Sequence, residues 1–373
     1  MSSKRWNAKV DRRTVLKLAG AAVLARASGA LADRRRTDLR TRLSVEFGLR
    51  TPLSSAGMAF VGLTDLASAV TNAGAIGVYG VGLEPPPAFA ARLQTLREET
   101  SGPFGVDFLV GAPGAPITTQ DHIDIAADAR VPIVAFHLDV PDPAWIRQLR
   151  AAGSKVWVQC PDVDQAQRAV AAGADGVIAQ GLSAGGHNRN STIPTLELVQ
   201  LIRRAVHHRV FVLASGGISS GRSLVQAIRA GADGGWAGTV FVAAAESYAH
   251  PGYKARLIAA KGPDATVFTR RFGPEAPGQQ QRVLRNRATD ELMSAVPTTI
   301  GTTTLFPGVL PTPYTLPKYS VLPPTRDTTG DLSEMSMPAG ADSVQAVRAI
   351  RPAADIVDDF IADSREHCDR DDD

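Results

Sequence analysis

The chain repeats one short unit, in which an alanine-rich helical segment is followed by an Ala-Gly stop and a short apolar strand. The stop occurs at residues 72–74, 151–153, 171–174 and 230–232. Each glycine suits the end of a helix, where the backbone turns left-handed and a Cβ atom would clash. A recurring joint of this kind indicates βα units, in which parallel strands alternate with helices.

Eight strand-like runs fit this alternation. They lie at residues 53–57, 76–80, 104–110, 132–138, 155–160, 177–180, 210–215 and 235–238. Helical patterns separate them, and the spacings are short. Eight repeats favour a closed (β/α)8 barrel, or TIM barrel, over an open doubly wound sheet. We therefore predict an α/β barrel with its site at the carboxyl ends of the strands.

The rest of the chain is divided around this barrel. The predicted parts are a lead-in at residues 33–52, the barrel at 53–306, a proline-rich crossing segment with C-terminal helices at 307–365 and a disordered acidic tail at 366–373. Amphipathic patterns place the two C-terminal helices at residues 343–350 and 353–361, and we expect both to pack on the barrel.

The first 32 residues resemble an export signal. Arg12 and Arg13 form a twin-arginine pattern, an apolar run follows at residues 18–25, and Ala30 and Ala32 supply small residues for cleavage. The run is too short to span a bilayer, so no stable membrane anchor is predicted. Export, to the periplasm, is the leading interpretation, and a cytoplasmic protein with a basic N-terminus is the alternative.

The charge pattern gives no indication of a nucleic-acid partner. The whole chain carries +3, but its first 32 residues hold seven Lys and Arg against one acid. The remaining 33 Lys and Arg face 36 Asp and Glu, so the body is slightly acidic. A broad basic surface for nucleic acid is therefore not expected.

Glycine-containing loops follow the predicted seventh and eighth strands, where barrels commonly bind phosphate. Gly216 and Gly217 follow the seventh strand, and Gly238 and Thr239 follow the eighth. Backbone N–H groups without side chains can approach a phosphate closely, and a following helix adds positive partial charge. A phosphorylated ligand is favoured over a purely structural turn.

A polar rim is predicted at the other strand ends. Its members are Met58, Asn72, His137, Gln159 and Gln180. Amides both donate and accept hydrogen bonds, which suits a heteroaromatic ring better than a metal. His137 with Asp139 is the metal-binding alternative, but a third ligand is missing nearby, so no metal is predicted. Trp236 is either a core aromatic or a stacking platform.

His187 lies in a glycine-rich loop just beyond the sixth strand. It follows Gly185 and Gly186 and is separated from Gln180 by a short turn. An imidazole can act as a base near neutral pH when its surroundings keep it uncharged. A solvated histidine on a structural turn is the alternative.

With these motifs the chain resembles the nitronate monooxygenases, formerly called 2-nitropropane dioxygenases. The similar segments are residues 56–59, 66–74, 179–181, 184–187, 215–218, 238–239 and 282–286. The resemblance covers roughly residues 53–361. It departs at Ser183, where the family usually has an acid, and around Trp236 in the eighth strand. The substrate side is therefore expected to differ from the family more than the phosphate side.

The resemblance implies FMN without a metal. It places the cofactor near Met58, Asn72, Gln180, Gly185, Gly217, Gly238 and Thr239. It also implies His187 as the catalytic base, with His137, Ser183 and Trp236 as candidate substrate residues. The implied reaction is oxidation of alkyl nitronates, and of nitroalkanes where the base acts, by O2 to carbonyl compounds and nitrite or nitrate.

Two other functions remain open. A flavin-dependent enoyl-acyl-carrier-protein reductase has similar Gly-Met-Ala and Gly-Gly-His segments, but it would consume a nicotinamide cofactor that is not expected outside the cell. The other alternative is a non-catalytic flavin-binding protein of the envelope. In the leading interpretation the partners are a small-molecule substrate and O2.

Overall fold

A computed structural model describes residues 39–111, 117–189, 191–275, 279–292 and 298–369. The predicted export signal, residues 33–38 of the lead-in and residues 370–373 of the acidic tail lie outside this part of the chain. No helix among the described residues is long and apolar enough to cross a membrane.

Eight parallel strands form the central sheet, and a further two-residue strand, β7, lies outside it. The strands are β1 (Leu53–Ser55), β2 (Gly77–Gly80), β3 (Phe104–Leu109), β4 (Ile133–His137), β5 (Lys155–Cys160), β6 (Gly176–Gln180), β7 (Gly186–His187), β8 (Phe211–Ser215) and β9 (Gly234–Ala237). The order around the sheet is β1-β9-β8-β6-β5-β4-β3-β2.

The sheet closes on itself between β1 and β2. Ser55 N donates to Ile76 O, and Ile76 N donates to Leu53 O, each at 2.9 Å. A parallel bridge between Ser54 and Ile76 lies at the same place. The predicted (β/α)8 barrel is therefore confirmed.

Helices surround the barrel and continue beyond it. They are α1 (Arg42–Phe47), α2 (Thr64–Asn72), α3 (Pro86–Glu99), α4 (Gln120–Asp128), α5 (Pro143–Ala151), α6 (Val163–Ala172), α7 (Thr195–Val206), α8 (Gly221–Arg229), α9 (Thr239–Val242), α10 (Pro251–Ala259), α11 (Arg287–Asp290) and α12 (Ala353–Asp369). The predicted Ala-Gly stops adopt the expected left-handed backbone, with φ of +89° at Gly74, +98° at Gly153, +103° at Gly173 and +107° at Gly231.

The strands divide the core into an inner and an outer layer because successive side chains point to opposite faces. Inside the barrel, Val78, Trp157 and Ile178 are fully buried in one apolar cluster. On the outer face, Val106 and Phe108 pack with residues of the surrounding helices. The inner layer fills the lower part of the barrel and leaves the carboxyl ends of the strands for polar groups.

Within the described residues, two small antiparallel sheets lie outside the barrel. In the first, β10 (Thr266–Thr269) pairs with β11 (Gln281–Leu284), and β11 pairs with β7. In the second, β12 (Thr299–Leu305) pairs with β13 (Thr312–Pro317) and with β14 (Thr329–Gly330). The barrel strands end at Ala237, so the segment predicted as barrel up to residue 306 also contains β10, β11 and β12, whereas β13 and β14 lie beyond it.

The C-terminal third differs from the sequence prediction in three ways. The proline-rich stretch is not a simple crossing segment, because β13 pairs as an outer strand with the threonine-rich β12, and an outer strand tolerates proline. The helix predicted at residues 343–350 is only a 3-10 turn at Ser343–Ala346, after which Val347 returns to extended backbone. The helix α12 continues to Asp369, so residues 366–369 of the predicted disordered tail are helical.

A buried ion pair anchors β12 and its connection to the barrel. The guanidinium of Arg92 on α3 donates to Glu84 at 3.3 Å, and its Nη2 donates to Pro307 O at 2.7 Å. Tyr79 also donates to the Glu84 carboxylate. Glu84 is 5% exposed and Arg92 is 7% exposed. Loss of either charge would leave the other without compensation in the protein interior.

Arg92→Met is therefore expected to lower the free energy of unfolding by about 3–5 kcal/mol, the usual cost of breaking a buried ion pair. The measurement is urea unfolding followed by circular dichroism. Arg97→Met, on the exposed face of the same helix, is the matched control and should change stability by less than about 0.5 kcal/mol. Equal stability of the two variants would contradict this role of Arg92.

Candidate active site

A cavity of about 470 Å³ lies at the carboxyl ends of the barrel strands. Its walls include every predicted site residue except Asn72, namely Met58, His137, Gln180, Ser183, Gly185, His187, Gly217, Trp236, Gly238 and Thr239. Barrel geometry brings them together, because the carboxyl ends of all eight strands meet at one rim.

Asn72 lies at the opposite end of the barrel, and its predicted place in the cofactor site is wrong. It is the last residue of α2, and a helix that follows a strand runs back toward the amino ends of the strands. Its exposed Nδ2 donates to Glu99 O at 2.9 Å. Proximity in sequence to the first strand therefore did not mean proximity to the site.

The metal alternative also receives no support from the geometry. The Asp139 carboxylate turns away from His137, pairs with Arg168 at 3.2 Å and accepts from Val140 N at 2.8 Å. Within the described residues there is no cluster of three His, Cys, Asp or Glu side chains suited to a metal ion.

The two glycine loops present bare backbone to the cavity. Gly216 and Gly217 have φ of +107° and +77°, and consecutive residues in such turns can aim their N–H groups at one anion. Among the described residues, the N–H groups of Gly216, Gly217 and Gly238 donate to no protein acceptor. The start of α8 is less available, because Asp363 already accepts from Arg222 N at 2.7 Å. The loops themselves, more than the helix end, fit a phosphate.

A C-terminal segment, residues 338–343, covers this side of the cavity, and we call it the strap. Gly340 N donates to Thr239 Oγ1 at 2.9 Å, and Ala341 N donates to Ser183 O at 3.1 Å. A Cβ atom on Gly185 would lie 2.5 Å from the backbone carbon of Ala339, so only glycine permits this approach. The Ser183 hydroxyl donates to the carboxylate of Asp342 and so helps to hold the strap.

A polar layer lies directly above the apolar interior of the barrel. Four buried atoms in it have no hydrogen-bond partner among the described residues, namely Asp107 Oδ1, His137 Nδ1, His187 Nε2 and Gln281 Nε2. All four residues line the cavity. Buried polar atoms are normally paired, so these atoms fit a bound molecule that carries both donors and acceptors. The ring system of a flavin has both, and its phosphate would meet the glycine loops.

His187 owes its position to the first additional sheet. The strand β7 pairs with β11, which places His187 opposite Gln281. Gln180 Nε2 donates to His187 O at 3.1 Å and fixes the backbone from the barrel side. Burial lowers the pKa of His187 to about 4, so its ring is neutral at pH 7 and can accept a proton.

His137 and Trp236 form other parts of the wall. Burial, together with the nearby His187 and Arg189, lowers the pKa of His137 to about 3. Trp236 is 2% exposed and packs edge-on against Trp157 with ring centroids 6.3 Å apart. Trp236 is therefore a core aromatic that forms the floor of the cavity.

Sequence reasoning missed Asp107 and Gln281. An acid in the middle of the apolar strand Phe104–Leu109, at an inward position, was an available signal for Asp107. Gln281 reaches the site only through the pairing of β11 with β7, and the residues around it in the sequence carry no comparable signal.

The nitronate monooxygenase family model matches residues 40–116 and 112–363. This chain belongs to the nitronate monooxygenase family. A relative described as a probable nitronate monooxygenase of Staphylococcus aureus (strain Newman) is 28% identical over 292 residues, which cover 68% of this chain and 80% of that protein.

Two solved structures are similar over most of the chain. FabK from Thermotoga maritima has a TM-score of 0.71 and 28% sequence identity, covering 89% of this chain and 98% of the other. A nitroalkane oxidase from Streptomyces ansochromogenes has a TM-score of 0.70 and 28% identity, covering 88% and 99%. Family and neighbours support a flavin-dependent oxidoreductase of the nitronate monooxygenase type.

The lowered pKa of His187 predicts how stability depends on pH. The unfolded histidine binds a proton near its ordinary pKa of about 6.5, whereas the folded one does so only near 4. Stability contributed by neutral His187 is therefore present above about pH 6.5 and is lost as the pH falls toward 4. The melting temperature of His187→Gln should fall less steeply over this range than that of the wild type. The exposed His208→Gln is the control and should keep the wild-type slope.

The carboxylate of Asp342 would repel an anion that binds at the loop of Gly216 and Gly217. Its Oδ2 lies 3.4 Å from the place where a Cβ of Gly217 would be. Asp342→Asn keeps an acceptor for Ser183 but removes the charge, so FMN should bind about fivefold tighter at low salt, with the difference shrinking as salt is added. Fluorescence titration of FMN measures this. Asp358→Asn, a surface change on α12, should leave the affinity unaltered, and equal effects of the two would argue for a general charge effect.

Proposed function

We propose that this protein binds FMN and uses O2 to oxidise alkyl nitronates, and nitroalkanes where a base is needed, to carbonyl compounds and nitrite or nitrate. The observation that carries the proposal is the meeting, in one cavity, of a neutral buried histidine with unpaired backbone donors at two glycine loops. Membership of the nitronate monooxygenase family supports the same reaction.

One side of the cavity would bind the phosphate of FMN, and the other would contact its ring system. Gly217, Gly238 and Thr239 would hold the phosphate, while Met58, Gln180 and Gln281 would contact the ring. FMN, when bound, supplies the electron acceptor for the substrate and the reductant for O2. His187 Nε2 would remove the α-proton of a neutral nitroalkane; a preformed nitronate needs no such step.

The substrate side favours an alkyl group. Apolar side chains line the cavity away from the glycine loops, namely Leu83, Leu109, Ile117, Leu138, Val321 and Leu322. Such a wall binds a hydrocarbon chain through burial of apolar surface, whereas the nitro end would turn to the polar layer.

The proposal is tested by mixing FMN-loaded protein with propyl 2-nitronate, or with NADH, under anaerobic conditions. The flavin absorption band should bleach with the nitronate and stay unchanged with NADH. Bleaching by NADH alone would favour the reductase alternative, with which the similarity to FabK is consistent. Well-folded protein that refuses added FMN would overturn both.

His187→Ala tests the base. Turnover of a neutral nitroalkane should fall by about 10²–10⁴-fold, the usual contribution of a positioned base. Turnover of the matching preformed nitronate should fall much less, because its proton is already gone. His208→Ala, in the exposed turn that follows α7, is the control and should match the wild type on both substrates. Equal losses on the two substrates would contradict a proton-abstracting role.

A further inference from the structure

Asp107 is an acid placed inside the barrel. It lies on β3, between Val106 and Phe108, whose side chains point outward, so its own side chain points inward. It is 4% exposed and lines the cavity. Gly57 is needed beside it, because a Cβ there would lie 2.2 Å from the Cβ of Asp107.

The two oxygens of Asp107 have different surroundings. Oδ2 accepts from Gln159 Nε2 at 3.3 Å. Oδ1 is buried without any partner among the described residues. A neutral carboxylic acid fits this arrangement, with Oδ2 as the carbonyl acceptor and Oδ1–H as a buried donor that has no partner among the described residues.

Among the described residues, no cation compensates a charge on Asp107. The elements around it bring Gly57 from the loop after β1, Gly80 from β2 and Ala135 from β4. Besides Glu275, the described ionisable side chains that line the cavity with Asp107 are His137, His187 and Tyr253. Burial lowers the pKa of both histidines and raises that of the tyrosine, so burial favours the neutral form of all three. Arg189 acts on His137 but is itself exposed.

Glu275 is the other carboxylate among the described residues that line the cavity, and its surroundings differ from those of Asp107. Glu275 accepts from Ser320 Oγ at 2.6 Å, from Val321 N at 2.9 Å and from the Tyr314 hydroxyl at 3.1 Å. Three donors stabilise its charge. Asp107 has one amide donor and full burial, which raises its pKa well above the ordinary range, because a buried carboxyl without compensation takes up a proton.

We propose that Asp107 keeps its proton in the folded enzyme and that Oδ1–H donates to an oxygen of the substrate's nitro or nitronate group. This rests on the proposed function. An ionised Asp107 would repel an anionic nitronate, whereas the neutral acid attracts it through a charge-assisted hydrogen bond. Asp107 is thus a binding residue that favours substrates with an acceptor oxygen and selects against those without one.

Infrared spectroscopy of the FMN-loaded protein tests the proton directly. At pH 7 the wild type should show the carbonyl-stretch band of a protonated carboxylic acid, and Asp107→Asn should lack it. Asp139→Asn, the same change on a surface carboxylate paired with Arg168, should retain it. A wild-type spectrum without a band that depends on Asp107 would overturn the proposal.

A substrate analogue that cannot react tests the contact. 2-Methyl-2-nitropropane carries a nitro group but no α-hydrogen, so it binds without turnover. Its addition to the FMN-loaded wild type should move the Asp107 band to lower frequency, as expected for a stronger hydrogen bond. If addition of FMN to the apoprotein moves the band and the analogue does not, the donor serves the cofactor and the proposed contact is wrong.

Kinetics supply a second readout. Asp107→Leu should lower kcat/KM for an alkyl nitronate by about 10- to 100-fold, the range for a lost hydrogen bond to a charged group. In the wild type, kcat/KM should fall as the pH rises through the raised pKa of Asp107, and this alkaline fall should be absent from Asp107→Asn. A fall that persists in Asp107→Asn would contradict the assignment. Failure of the protein to oxidise nitronates at all would instead remove the proposed function, while the infrared band would still report the state of Asp107.

Discussion

Closure of the barrel between β1 and β2 is the constraint on which the site depends. The hydrogen bonds that join Ser55 and Leu53 to Ile76 turn a twisted sheet into a ring. In a ring, the carboxyl ends of β3 to β6 face those of β8 and β9 across a single opening. The polar layer and the glycine loops therefore meet around one cavity, although they come from distant parts of the chain.

Burial of the ionisable side chains away from water determines their pKa shifts in this cavity. Burial disfavours the charged forms of His137, His187 and Asp107, and the direction of each pKa shift follows from the sign of the charge that burial disfavours. The same cavity thus favours a neutral base and a neutral acid. A single desolvated environment prepares both, and neither has a dedicated counter-ion in the part of the chain that the structure describes.

The sequence predicted the barrel well because local rules determine most of it. Apolar strands, alanine-rich helices and glycine stops can each be recognised from a few neighbouring residues. Barrel geometry then determines where Gly217 and Gly238 lie. Asn72 was misplaced because the direction of α2, and not its closeness to β1, decides which rim its end reaches. Gln281 and the strap could not be placed, because they reach the site through the pairing of β11 with β7 and through contacts of residues 338–343, both of which are long-range. Asp107 lay within reach of pattern reasoning, as an acid at an inward position of an apolar strand.

The strap is the last part of the site to be synthesised. The strands that carry the cavity walls end at Ala237, whereas Gly340 and Ala341 come much later in the chain and contact Thr239 and Ser183 from outside. The strap is therefore a separate layer that docks on the finished barrel walls. Exchange of a cofactor that lies beneath the strap requires local opening of the C-terminal segment, without unfolding of the barrel.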